Sequence, residues 1–152
     1  MGTDSDRFAT PRMASGALFV DAQDRVLLVH KTYSNGWDIP GGYVDIGESP
    51  ATACQRELSE ELGLDREARH LIAVDWAPNE TEGDKVLWLF DCGDLGDDEQ
   101  RITLDTAELD RWEWIPAERV PEYVIPRLAR RIGQALRARR NGYTVYLEHG
   151  ER

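Results

Sequence analysis

Apolar residues fall along this chain in short unbroken runs, interrupted by one amphipathic segment and a second near the end. Ala17-Leu18-Phe19-Val20 and Val26-Leu27-Leu28-Val29 flank the polar stretch Asp21-Ala22-Gln23-Asp24, which predicts strands over residues 12–20 and 26–30 joined as a hairpin. Further strands are expected over 70–76, 85–91 and 109–115, with a short one within 143–147. The stretch Tyr33 to Gly42 is dense in Gly, Pro and Asn and predicts a loop with a short extended piece around Trp37. Ser49 and Pro50 are the N-cap and first position of a helix that Gly63 terminates. A second helix over 126–140 shows Leu128, Ile132, Ala135 and Leu136 at helical spacing. Residues 92–99 are acidic and predict an exposed loop. No repeat, low-complexity block or interdomain linker interrupts the pattern, so residues 1–152 read as one domain, with 1–11 as a polar, loose tail and not a secretion signal.

Size and charge narrow the function. The 152 residues suffice for one core, and 41% apolar with 31% charged residues is ordinary soluble composition. The formal charge of −11 repels polyanions and argues against coating a nucleic-acid polymer. A bound dication inverts the local sign, so an acidic chain is still able to act on a small phosphate compound. The two cysteines, Cys54 and Cys92, are too few for a disulfide scaffold and suit a reducing, cytoplasmic setting. The longest apolar runs, such as Val86 to Phe90, are strand-sized and far short of a membrane span.

The helix over 50–62 carries the chemistry. Ala51, Cys54, Leu58 and Leu62 form its apolar stripe, and Glu57, Glu60 and Glu61 lie together beside it. Like charges one turn apart destabilise a helix, and anions in its last turn oppose the macrodipole. Alone, such a run also fits a solvated acidic face. The preceding loop adds weight to a site: Gly41-Gly42 permits close backbone approach and offers carbonyl oxygen, and Glu48 adds a carboxylate. Clustered hard oxygens suit Mg²⁺ or Mn²⁺, and Arg56 is placed to hold Glu60 four residues on.

Gly42, Glu48 and the run Arg56-Glu57-Leu58-Ser59-Glu60-Glu61-Leu62-Gly63-Leu64 resemble the Nudix box at every defined position, and Trp37-Asp38-Ile39-Pro40-Gly41 resembles the segment that usually leads into it. The resemblance implies an α/β fold of α+β mixed-sheet type, an α/β/α sandwich in which the box forms a loop-helix-loop metal site. It implies a Mg²⁺- or Mn²⁺-dependent hydrolase of the pyrophosphate linkage in a nucleoside diphosphate derivative, such as a nucleotide sugar or ADP-ribose. By position, Glu57 and Glu61 are the leading metal ligands, Glu60 a further ligand and the Gly42 carbonyl another. Glu48 supports the cluster and Arg56 orients it. The general base is Glu57 or a glutamate outside the box, for which Glu108 and Glu113 are the candidates. A triphosphate pyrophosphohydrolase and a non-catalytic nucleotide-sensing module are the alternatives, and the family resemblance favours a homodimer.

Recognition of the substrate is less visible. Among the aromatics Tyr33, Trp37, Trp76 and Trp88, Trp37 and Trp76 are the preferred candidates for stacking on a base or sugar. Residues 123–152 carry seven arginines against two glutamates. The arginines of the distal helix read as a solvated basic face, or as a surface for substrate phosphate or an acidic second subunit.

Overall fold

A computed structural model describes residues 7–68 and 70–152. Residues 1–6 of the expected tail lie outside the described residues, and the first strand begins at Arg12. Eight strands and two α-helices follow: β1 Arg12–Phe19, β2 Arg25–Lys31, β3 Trp37–Asp38, β4 Gly41–Tyr43, α1 Pro50–Leu62, β5 His70–Trp76, β6 Lys85–Gly93, β7 Leu109–Pro116, α2 Pro126–Asn141 and β8 Val145–Glu148. They form a mixed five-stranded sheet in the order β4-β1-β6-β5-β8 and a three-stranded sheet in the order β3-β2-β7.

Two apolar cores explain the unbroken runs. Ala17, Phe19, Leu27 and Val29 pack with Cys54, Leu58 and Leu62 of α1, whereas Leu18, Val26 and Leu28 pack with Leu128, Ile132 and Leu136 of α2. Alternate residues of one strand therefore point into different cores, and a strand covered on both faces has no polar side to show in its sequence. The helices occupy opposite faces of the sheets, giving the α/β/α layering.

The hairpin expected from the first two runs does not form. β1 pairs antiparallel with β4 and parallel with β6, while β2 pairs with β3 and β7; a single bridge, Val20 to Val26, joins them. The turn is a corner held by Asp21, whose carboxylate accepts from the backbone of Gln23 and Arg25 and from Arg25 Nε. With both faces apolar, each strand is best buried inside a different sheet, and the short polar connection is compatible with either outcome. The acidic stretch 92–99 also departs from an exposed loop. Cys92 and Leu95 are buried in the α1 core, and Gly96–Arg101 is a 3-10 helix.

Helix ends follow the sequence closely. Ser49 Oγ accepts from Thr52 N at 3.1 Å, and Gly63 adopts φ 67°, ψ 24°, the left-handed C-cap that glycine enters without a Cβ penalty. On α2, Arg131 leaves the solvated basic face expected for it. Only 7% exposed, it donates from Nε to the fully buried Asp75 at 2.6 Å. Asp75 also accepts from Gly150 N, which fastens the C-terminal turn to the middle of β5. Among the described residues no helix is long and apolar enough to cross a membrane.

Leu58 is fully buried between α1 and the strands, so Leu58→Ala is expected to lower unfolding free energy by about 3 kcal/mol, read as a reduced midpoint in urea at unchanged slope.

Candidate active site

Two glycines set the distance between α1 and the sheet. A Cβ on Gly41, where φ is +150°, would sit 2.1 Å from Ser15 O, inside the backbone of β1. On Gly42 it would sit 2.5 Å from Glu57 Cδ. Only with both side chains absent does β4 fit between β1 and the carboxylates of α1. Gly41 N then donates to Glu61 Oε1 at 2.7 Å, and Ser15 Oγ donates to Pro50 O at 2.7 Å, tying β1 to the first turn of the same helix.

Arg56 organises the other side of the cluster. Its Nε and Nη2 donate to the two oxygens of Glu48 at 2.8 and 2.9 Å, Nη1 donates to Glu57 Oε1 at 2.9 Å, and Nη2 also reaches Tyr43 O at 3.0 Å. Glu60 is more loosely held, 3.3 Å from Nη1. The forked guanidinium thus bridges the loop, β4 and the helix, which a point charge such as lysine would not do. Hydrogen bonds from Arg56 hold the Glu48 carboxyl down at about 2, with the Asp45 N–H adding to the effect.

Glu61, which is buried, and Glu57, which is half-buried, respond differently. Burial pushes Glu61 up to about 8; the Gly41 N–H opposes this, and the charges of Glu57, Glu108 and Asp38 reinforce it. Burial likewise raises Glu57, against the lowering effect of Arg56. The cluster is therefore over-supplied with negative charge, and a divalent cation would restore both carboxyls to the ionised form. The donor set is hard oxygen throughout, which fits Mg²⁺ or Mn²⁺. Among the described residues no three acidic, His or Cys side chains are grouped closely enough to hold an ion by themselves. Glu57 and Glu61 are the carboxylates the fold brings beside the Gly41-Gly42 backbone, with Glu60 displaced outward, its side chain 57% exposed.

These groups open on a cavity of about 580 Å³, a volume within the range of small-molecule sites. Glu57, Glu61 and Gly42 line it, and so does Glu108 from the turn before β7; Glu113, exposed on β7, does not. Trp37 and Trp76 do not line it either. Trp37 instead packs edge-on against His30 and Tyr123, at 5.0 and 5.6 Å between ring centroids. The aromatics at the cavity are Tyr33, Tyr43 and Trp88, and cations reach it from Lys31, Lys85, Arg127 and Arg131. Of these seven, Tyr43 and the two lysines were not among the candidates the sequence offered, and the lysines show why. Each closes or opens an apolar run, a position that carries no mark of function.

Residues 10–137 match the NUDIX domain family, and the chain belongs to the Nudix family of pyrophosphohydrolases. It is 33% identical over 132 residues to an RNA pyrophosphohydrolase of Psychrobacter arcticus, covering 74% of this chain and 72% of that one. An RNA pyrophosphohydrolase of Roseobacter denitrificans is 26% identical over 132 residues, 76% of this chain and 82% of its own. With the corresponding protein of Brucella anthropi, at 33% identity and 59% of this chain, the match spans 62% of the relative's length. Among solved structures, a UDP-X diphosphatase superimposes with a TM-score of 0.75 at 19% identity, over 95% of this chain and 70% of that one. A MutT protein from Methanosarcina mazei Go1 gives 0.70 at 22%, over 89% and 98%. These two likenesses establish the shared fold.

Because the folded chain holds a proton on Glu61 that the unfolded chain releases near 4.5, metal-free stability is fully present below that pH and is lost as pH rises through about 8. Glu61→Gln removes this dependence. Above pH 8 without metal the variant is expected to melt about 3–6 °C higher than wild type, and added Mg²⁺ should stabilise wild type but not the variant. Calorimetry with chelator and with Mg²⁺ checks both.

Proposed function

We propose that the chain hydrolyses the pyrophosphate linkage of a nucleoside diphosphate derivative, with Mg²⁺ or Mn²⁺ held by Glu57, Glu61 and the Gly42 carbonyl and with Glu60 as an outer carboxylate. The observation that carries this reading is the buried Glu61 and half-buried Glu57, whose carboxylates line one cavity beside a two-glycine backbone segment. The bound cation would neutralise the diphosphate and lower the pKa of water. Arg56 keeps Glu57 in place through the Glu48 brace, so the carboxylates are oriented before substrate arrives. Lys31 and Lys85 add positive charge along the cavity wall and suit the remaining phosphate oxygens.

Glu108 is the carboxylate best placed to take the proton of the attacking water. It shares the cavity with Glu57 and Glu61 and is not engaged by Arg56, unlike Glu57. Glu113 has no access to the cavity and drops out of this role.

The relatives widen the substrate range. Those named RNA pyrophosphohydrolase support a second reading, in which the leaving pyrophosphate comes from the 5′ end of an RNA. Only the terminal nucleotide would enter the cavity, so the charge argument against coating a polymer does not bear on it. The names ADP-ribose pyrophosphatase, for a Bacillus subtilis relative 38% identical over 68 residues, and UDP-X diphosphatase support the nucleotide-sugar class.

Wild type, Glu57→Gln, Glu61→Gln and Glu108→Gln should be assayed on nucleotide sugars, ADP-ribose, triphosphates and a 5′-triphosphate RNA with Mg²⁺ and Mn²⁺, identifying products. Wild type is expected to release two phosphomonoesters from a diphosphate substrate. Loss of each box glutamate should abolish measurable turnover, and Glu108→Gln should lower kcat by roughly 10²–10³ with metal affinity kept. Full turnover in Glu57→Gln would overturn the metal site, and full kcat in Glu108→Gln would return the base to Glu57.

A further inference from the structure

Helix α2 carries six arginines and no acidic residue over Pro126–Asn141, and the six are not equivalent. Arg131 and Arg139 are ion-paired to Asp75 and Asp91 at 2.6 and 3.3 Å. Arg127, Arg130 and Arg137 are exposed. At helical spacing these three lie within an arc of about 80° and span about 15 Å of the helix surface. Among the described residues no carboxylate pairs with Arg127 or Arg137, and Arg130 meets Glu151 only at 4.0 Å while its Nε and Nη2 donate to the backbone oxygen of His149. Arg127 also sits in the first turn, where the helix dipole favours anions, so its charge does not help the helix.

The row begins at the active-site cavity and leads away from it. Arg127 and Ile125 line that cavity, and the same two residues line a second cavity of about 610 Å³ whose other walls are Pro126, Arg130 and His149. Ile125, at the junction, is 54% exposed and offers apolar surface to the face of a base or a ribose. Arg130 and Arg137 stand outside the active-site cavity. A nucleotide sugar or a free triphosphate held beside Glu57 and Glu61 leaves them unused, whereas cations that continue past the mouth fit a ligand whose phosphates continue too. We propose that Arg127, Arg130 and Arg137 track the backbone of a single-stranded RNA over roughly four nucleotides, with the 5′ end of the strand in the cavity. This deepens the second reading above, in which the pyrophosphate comes from an RNA 5′ end, and rests on it. The overall charge of −11 repels the strand from the rest of the surface and so confines it to this row.

Binding is measured on strands that carry no pyrophosphate to cut, so that recognition and hydrolysis are read apart. A 5′-monophosphate RNA hexamer, the same hexamer with a 5′-hydroxyl and the corresponding mononucleotide are titrated, with Mg²⁺ present, into wild type and the double variant Arg130→Gln with Arg137→Gln. Wild type is expected to bind the phosphorylated hexamer at least about tenfold more tightly than the other two. In the variant, hexamer affinity should fall about tenfold at roughly 0.1 M salt, and the slope of log affinity against log salt should become shallower by about 1.4. Mononucleotide affinity and the melting curve should stay as in wild type. Equal affinities for hexamer and mononucleotide in wild type, or an unchanged hexamer affinity in the variant, would overturn the proposal. A hexamer bound as tightly with a 5′-hydroxyl would show that the strand does not start in the cavity and would overturn it too. So would light scattering that finds a wild-type dimer and a monomeric variant of unaltered hexamer affinity, which would give the row to the acidic surface of a second copy. Hydrolysis of nucleotide sugars or triphosphates without any preference for the hexamer would sink this proposal and leave the pyrophosphohydrolase reading standing. The hexamer preference without hydrolysis of any pyrophosphate substrate would support the row and count against the enzymatic reading alone.

Discussion

Everything in this site depends on how closely the backbone of β4 approaches α1. Gly41 lies against β1 at a separation that excludes any Cβ, and Gly42 lies equally close to the Glu57 carboxylate. That contact does two things at once. It lets β1 pair with β4, and it delivers the Gly41 N–H to Glu61. A methyl group on Gly41 would push β4 off β1, and one on Gly42 would push it off Glu57; either would disturb the approach of this backbone to the carboxylates with no change to a single charged residue.

The rest of the machinery stabilises an arrangement that is electrostatically unfavourable until a cation binds. Helix α1 buries Glu61 at its C-terminal end, where the macrodipole and a neighbouring Glu57 both oppose the charge. The helix tolerates this because its other face is anchored by Cys54, Leu58 and Leu62, all fully buried, and because Ser49 and Gly63 cap its two ends. Arg56 offsets part of the acidic surplus from outside the cavity, through Glu48 and Glu57, and leaves Glu61 with one backbone donor. Stability from packing thus supports a polar cluster that is itself destabilising, a division of labour common at functional sites.

A second compensation lies across the cavity. Arg131 and Asp75 are buried together, where two charges are expensive to desolvate and remain so unless their hydrogen bonds are filled. Asp75 is satisfied on both oxygens, and Arg131 keeps a buried Nη2 without a partner.

Local chemistry was legible in the residues themselves. The boundaries of α1, its caps, its buried stripe and its glutamate cluster follow from spacing within fifteen consecutive residues, 49–63, because helical geometry converts short sequence separations directly into faces. The Gly41-Gly42 step was readable from glycine's missing side chain, and Arg56 from its place among the glutamates, although its firmest partners are Glu48 and Glu57 and not the Glu60 its spacing suggests. Strand pairing was not. Runs buried on both faces carry no alternation to say which neighbour they take, so the first two strands look like a hairpin and separate into two sheets. The cavity's contents were decided by the same long-range choice: Glu108 faces Glu57 and Glu113 does not, Trp88 and Tyr33 reach the cavity and Trp37 and Trp76 do not, and Arg131 turns inward to an aspartate 56 residues away. The sequence by itself determined the carboxylate-bearing helix, because its faces and caps depend on contacts a few residues apart. Only the tertiary structure decided which distant side chains share the cavity, because that is set by how two sheets and two helices bury both faces of every central strand.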